Sequence, residues 1–132
     1  KAVGLGGFGV ETPPGGKGGI RGIAIPLDEP SLLEEVVNRR AAYRGPVVHT
    51  AANVRLMEEL GGKTPAEAVA IPLVAGGKVR VILYGDSLPD DQPLPPTQTL
   101  EIFLTQAGLT LERVLLEKKL QERRGEQGGG AL

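Results

Sequence analysis

The chain contains no cysteine and no tryptophan, a single histidine, and only 3% aromatic residues. Without Cys there are no disulfides, thiolate metal ligands, thiol nucleophiles or thioether-linked chromophores. So few aromatic rings leave little with which to stack bases or line a sugar-binding platform. Charge is also scarce in net terms: 15 basic against 16 acidic residues give a formal charge of -1. Runs such as Glu117-Lys118-Lys119 mix the two signs, which describes a solvated face. A nucleic acid or an anionic membrane would need a basic footprint, and neither is expected as a partner. No apolar run approaches the ~20 residues that span a bilayer, and no signal peptide precedes the first apolar stretch. The expectation is a cytoplasmic protein.

What is present suits one domain. Length 132 and 40% hydrophobic residues provide for a single real core. The chain opens on Lys1 and enters Ala2-Val3-Gly4-Leu5 at once, so a segment of a longer protein is expected. Ala2 to Glu11 reads as a short Gly-rich strand, and Thr12 to Gly19 as a loop that no regular element crosses. Ile20 to Leu27 alternates like a half-buried strand. Ser31, with Glu34 three residues later, has the spacing of a capping box at a helix start; Leu32, Leu33, Val36 and Val37 form its apolar face.

Extended structure is expected from Arg39 to Val48, then a second helix from Ala51 to Leu60, stopped by Gly61-Gly62. The strongest local signal follows. Apolar runs 68–75 and 78–86 flank Gly76-Gly77, a pair able to take positive φ at both central positions of a tight hairpin turn. Leu88 to Pro96, with four prolines, is a surface loop. A long helix then begins at Gln98 or Thr99 and runs to Arg124, leaving 125–132 as a flexible tail or linker. That helix carries two apolar seams. Leu100, Leu104, Ala107, Leu111 and Val114 form one, and Ile102, Leu109 and Leu116 recur at steps of seven on another side. If the first packs on the domain's own sheet, the second is free to contact a homodimer mate or a partner helix.

Chemistry-bearing patterns are few. Gly4-Leu5-Gly6-Gly7-Phe8-Gly9 has the spacing of a dinucleotide loop. However, Glu11-Thr12-Pro13-Pro14 follows where a phosphate-binding helix must begin. Gly15-Gly16-Lys17-Gly18 lacks the hydroxyl residue after Lys that a P-loop supplies to magnesium. His49 has no metal-ligand spacing around it, and neither Ser31 nor Ser87 sits in a nucleophile elbow. The pairs Glu34-Glu35 and Asp90-Asp91 show no converging second cluster for acid–base work. No catalytic residue, metal ligand or cofactor is expected. Tyr43, Arg44, His49 and Asn53 are the polar handles with which a pocket would hold a ligand.

The order of elements resembles a GAF domain, a relative of the PAS sensory fold. Ala70-Ile71-Pro72-Leu73 through Gly76-Gly77-Lys78 to Leu83-Tyr84-Gly85 is similar to the late core strands of that family. Leu100-Glu101-Ile102-Phe103-Leu104-Thr105-Gln106-Ala107 with Leu111-Glu112-Arg113 is similar to its terminal helix. The resemblance covers about residues 20 to 124. It implies an α+β fold, an antiparallel sheet with flanking helices on one side and a long C-terminal helix. A pocket would lie near Tyr43 to Arg55, and the first helix and strand of such domains would lie upstream of Lys1. The implied function is a non-catalytic regulatory module of a larger, bacterial signalling protein. It would bind a small-molecule ligand or a partner and signal through its terminal helix, or serve as a ligand-free dimerisation or docking platform. Without Cys the chain holds no bilin and performs no thiol chemistry. It also lacks the Asn-Lys-…-Asp signature of cyclic-nucleotide-binding relatives.

Overall fold

The structure, a computed structural model, describes residues 1–7 and 19–129. Its elements are β1 (Ala2–Val3), β2 (Ala24–Ile25), α1 (Leu32–Arg39), β3 (Tyr43–Gly45), α2 (Ala51–Glu59), β4 (Ala68–Ala75), β5 (Lys78–Asp86) and α3 (Gln98–Gly129). The fold is α+β with two small antiparallel sheets. β1 pairs with β2, and β4 lies between β3 and β5.

The hairpin forms where the sequence places it. Gly76 and Gly77 take φ of 61° and 74°, the left-handed values a tight turn between strands needs at both central residues. The two short helices also follow their signals. Ser31 accepts a hydrogen bond from the Glu34 backbone N–H, and Thr50 accepts one from that of Asn53. Each satisfies a donor that the first helical turn leaves free. Glu34 does not complete a capping box, because its side chain accepts a hydrogen bond from Asn38 instead. At the end of α2, the Gly62 N–H returns to the Met57 carbonyl with Gly62 at φ 86°, the closure that favours glycine after a helix.

The N-terminal third differs from expectation. The strand read over Ala2 to Glu11 is only β1 among the described residues, and the loop at 12–18 lies outside them, as do Phe8 and Gly9 of the glycine motif. Ile20 to Leu27 is not one strand. A 3-10 turn at Gly19–Gly22 precedes a two-residue β2. The backbone of Gly4 presses against this turn: its N–H donates to the Ile23 carbonyl, and a β-carbon on it would meet the Ile20 oxygen at 1.9 Å. The chain therefore turns to receive β1 rather than extending. Arg39 to Val48 likewise yields only β3. Arg40 adopts φ 53° at the end of α1, which breaks the extended run before it starts.

The two faces of the larger sheet are covered by different helices, not by helices on one side. Tyr43, Ala70 and Tyr84 stand opposite one another on the face that joins the main core. With them pack Ile23, Ile25, Leu32, Leu33 and Val36, and Leu56 and Met57 from α2. On the other face, Val69 and Ile71 pack with Leu104 of α3 in a second, smaller core. The helix approaches β4 closely through Gly108, which is buried over Val74.

α3 also corrects two expectations. Its sheet-facing side is Leu104, Ala107, Gly108, Leu111 and Leu115, whereas Leu100 and Val114 remain 45% and 52% exposed. The buried stripe is narrower than the pattern of leucines, because contact is made through a glycine. Secondly, the helix does not stop at Arg124 before a tail but continues through Gly125 to Gly129. A single interior glycine costs about 1 kcal/mol of helix propensity, and Glu126 and Gln127 beyond it are good helix formers. At 32 residues α3 is about 48 Å long. The eight residues of β4 span about 26 Å. The C-terminal half of the helix thus has no sheet beneath it.

Candidate functional site

Two features of this frame are able to engage another molecule: a groove beside α1 and the outward side of α3. The groove, about 370 Å³, lies between α1, Tyr43 and the segment leading into α2. Pro30, Leu32 and Val48 supply apolar lining; Glu34, Glu35, Asn38 and Arg39 supply polar lining from successive turns of α1. Those α1 groups are already partly paired. Glu34 accepts from Asn38, and Glu35 lies 3.2 Å from Arg39. The Tyr43 hydroxyl donates to the Pro46 carbonyl. Burial, and then the nearby Glu35 carboxylate, raise its pKa above the usual tyrosine value of 10.0.

The four expected ligand handles do not converge. Tyr43 and Asn53 line the groove. Asn53 is 2% exposed and serves the fold first: its Oδ1 accepts from the Leu32 N–H at 2.9 Å and its Nδ2 donates to the Val48 carbonyl at 2.8 Å. It thereby fastens the start of α1 to the entrance of α2.

Arg44 stands on the opposite sheet face from Tyr43, as neighbours in a strand must. There its guanidinium donates to the Leu94 and Pro95 carbonyls. It also lies 2.9 Å from Glu67 Oε1, an ion pair by distance but off the hydrogen-bond direction. It clasps the proline-rich loop to the sheet. His49 is exposed just before the Thr50 cap and is not part of the groove lining. The acidic and amide lining from α1 lies outside the four expected handles, because Glu34-Glu35 has the pattern of an ordinary solvated helix face. Their spacing with Asn38 and Arg39, at three and four residues, is the available signal.

A second polar cluster orders the other end of the hairpin. Ser87 is buried; its hydroxyl donates to Asp91 Oδ1 and accepts from the Glu67 N–H, while Ala66 N–H also donates to Asp91. The Ser87 bond, and then the Ala66 bond, hold the Asp91 carboxyl below its ordinary 3.8. Among the described residues no group of three or more His, Cys, Asp or Glu side chains converges as metal ligands do.

The chain matches no protein-family model, no curated protein and no solved structure. The geometry of the chain itself therefore has to carry the functional reading. Ile102, Leu109 and Leu116 are 64%, 57% and 59% exposed, on the side of α3 away from the sheet. At 100° per residue Leu109 lies about 140° around the helix from Leu104. Leu120, 47% exposed, continues the same stripe. No described helix is long and apolar enough to cross a membrane, so a lipid-spanning role does not account for it.

Proposed function

We propose that this chain is a non-catalytic, GAF-like regulatory module of a larger signalling protein. It binds a small ligand in the groove beside α1 and transmits its state through α3. The observation that carries this reading is the two-sidedness of α3. One side is seated on β4 through Leu104 and Gly108, and the other presents Ile102, Leu109 and Leu116 to solvent. A helix held by one face and apolar on another is built to touch something besides its own domain.

The groove supports the ligand half of the reading. Its volume lies in the small-molecule range, and it combines an apolar floor with a few polar groups. It also touches α1, which packs on the same sheet that α3 covers from behind. A ligand shifts such a system only by its differential affinity for two arrangements. The alternative, a docking platform of the same fold without a ligand, is favoured by one detail: the charged lining groups of α1 already pair with one another.

Native mass spectrometry of the protein purified from its source organism, compared with the denatured mass, separates the two. A retained small molecule that is lost on Tyr43→Ala with Asn38→Ala supports the sensor. A clean apo species whose α3 still associates supports the platform.

A further inference from the structure

We infer that the outward stripe of α3 pairs with the α3 of a second copy of this chain, and that the two helices run antiparallel. The inference rests on reading α3 as the element that carries the module's state outward, and adds the identity and direction of its partner.

The exposed residues define a seam with alternating steps of four and three: Ile102, Gln106, Leu109, Arg113, Leu116 and Leu120. This is the spacing of alternating d and a positions in a two-stranded coiled coil. It covers about 27 Å of helix. Leu120 fixes the choice of steps, since the other option places Thr105, Glu112 and Lys119 in the seam. Leu116 and Leu120, the last two residues of the seam, lie beyond the last sheet-facing residue of α3, Leu115, where the helix has no other support.

Charge decides the direction. In a parallel, in-register pair, each a residue meets its own copy, so Arg113 faces Arg113 within the seam. The flanking contacts then set Glu112 against Glu117 of the second copy, and Lys119 against Arg124, each twice by symmetry. Every charged flanking contact is then between like charges, and the only opposite-charge neighbour is Glu112 beside the paired Arg113 residues.

Antiparallel pairing about Leu111 gives a different set. Leu120 meets Ile102, Leu116 meets Gln106 and Arg113 meets Leu109. Each polar seam residue is then opposed by a leucine whose bulk its stem can cover. Lys119 lies beside Thr105, and Glu117 beside Phe103. The only like-charge contact left is Glu112 with its copy, bracketed by the two Arg113 guanidiniums. The bare C-terminal half of each helix also comes to lie along the anchored N-terminal half of the other, with the two domains at opposite ends.

The absence of Cys makes the test clean. Ile102→Cys and Leu120→Cys are made singly, one carrying a mass tag, and oxidised mildly alone and mixed. The expected result is a disulfide only in the mixture, between one variant and the other. Sedimentation should show a dimer that Ile102→Glu with Leu109→Glu weakens by about 100-fold or more while circular dichroism remains helical. Rapid self-linking of either single variant means parallel helices and overturns the direction, while leaving α3 as a pairing element. A parent chain that sediments as a monomer at high concentration overturns the pairing itself. Neither result bears on the sensor, which stands or falls separately on the small molecule retained in native mass spectrometry.

Discussion

Gly108 of α3 lies against the backbone carbonyl of Val74 so closely that a β-carbon at position 108 would sit 2.3 Å from that oxygen. No non-bonded carbon approaches an oxygen that nearly, and the obstacle is backbone rather than a side chain that can swing away. This contact sets how closely α3 lies on β4, and hence which of its sides remain in water. Gly108→Ala gains about 1 kcal/mol of helix propensity and meets an overpacking cost of about 1–3 kcal/mol. The expected net outcome is a loss of stability in urea unfolding. Gly125→Ala is the control, because nothing lies within 4 Å of a β-carbon there. It should raise stability by up to about 1 kcal/mol. If both substitutions stabilise equally, the close seat on β4 is wrong.

Asn53 links two helix entrances with one buried amide. Asn53→Ala leaves the Leu32 N–H and the Val48 carbonyl without their partner, at about 1–3 kcal/mol for each group that stays buried and unsatisfied. The expected loss is about 2–4 kcal/mol, measured by denaturant unfolding. Asn53→Asp keeps the acceptor for Leu32 but not the donor for Val48, and should fall between the alanine variant and the parent. A ligand contact alone would leave apo stability unchanged in all three proteins.

These two residues show what the sequence reveals and what it withholds. The hairpin, the start of the first short helix and the end of the second are written in local chemistry: a glycine pair, the Ser31 cap and a glycine stop. The outward stripe Ile102, Leu109 and Leu116 is also legible, because a period of seven survives whatever the helix packs on. Tyr43 and Arg44 look like parts of one site, although strand geometry sends them to opposite faces; nothing local marks where that three-residue strand begins. The hydrogen bond from Leu32 to Asn53 and the contact of Gly108 with Val74 join residues distant in sequence, and no local pattern announces them. The groove lining from α1 is hidden for the opposite reason. Its residues look like any solvated helix face until a loop is folded beside them.

Acid should loosen the Ser87–Asp91 clasp. Asp91 has a folded-state pKa lowered from 3.8, so its contribution to stability is fully present above that value and is lost as pH falls through the folded one. Carboxyl carbon NMR should show Asp91 titrating below 3.8 in the parent. In Ser87→Ala, which removes the leading hydrogen bond, the midpoint should move back up. An Asp91 midpoint indifferent to Ser87→Ala would mean that the hydroxyl does not hold the carboxylate in solution.

Alkali should meet the two tyrosines in order. Tyr84 is half-buried between β5 and the main core, donates to Asp86 Oδ2 at 2.9 Å and lies near Met57 Sδ. Burial, then the bond to Asp86 and its negative charge, raise the Tyr84 pKa far above 10.0. Tyr43 is raised as well, by burial and by Glu35. Raised values mean that the folded state favours the neutral phenol. The stability this confers is intact below 10 and lost as pH climbs past it. With no tryptophan in the chain, phenolate absorbance reports these two groups alone. The expected titration has an early step from Tyr43, absent in Tyr43→Phe, and a late step that coincides with loss of the far-ultraviolet helix signal. In Asp86→Asn the late step should come at lower pH, because the fixed negative charge beside the phenol is gone. A Tyr84 that ionises near 10 with the fold intact would show that β5 does not hold it against the core.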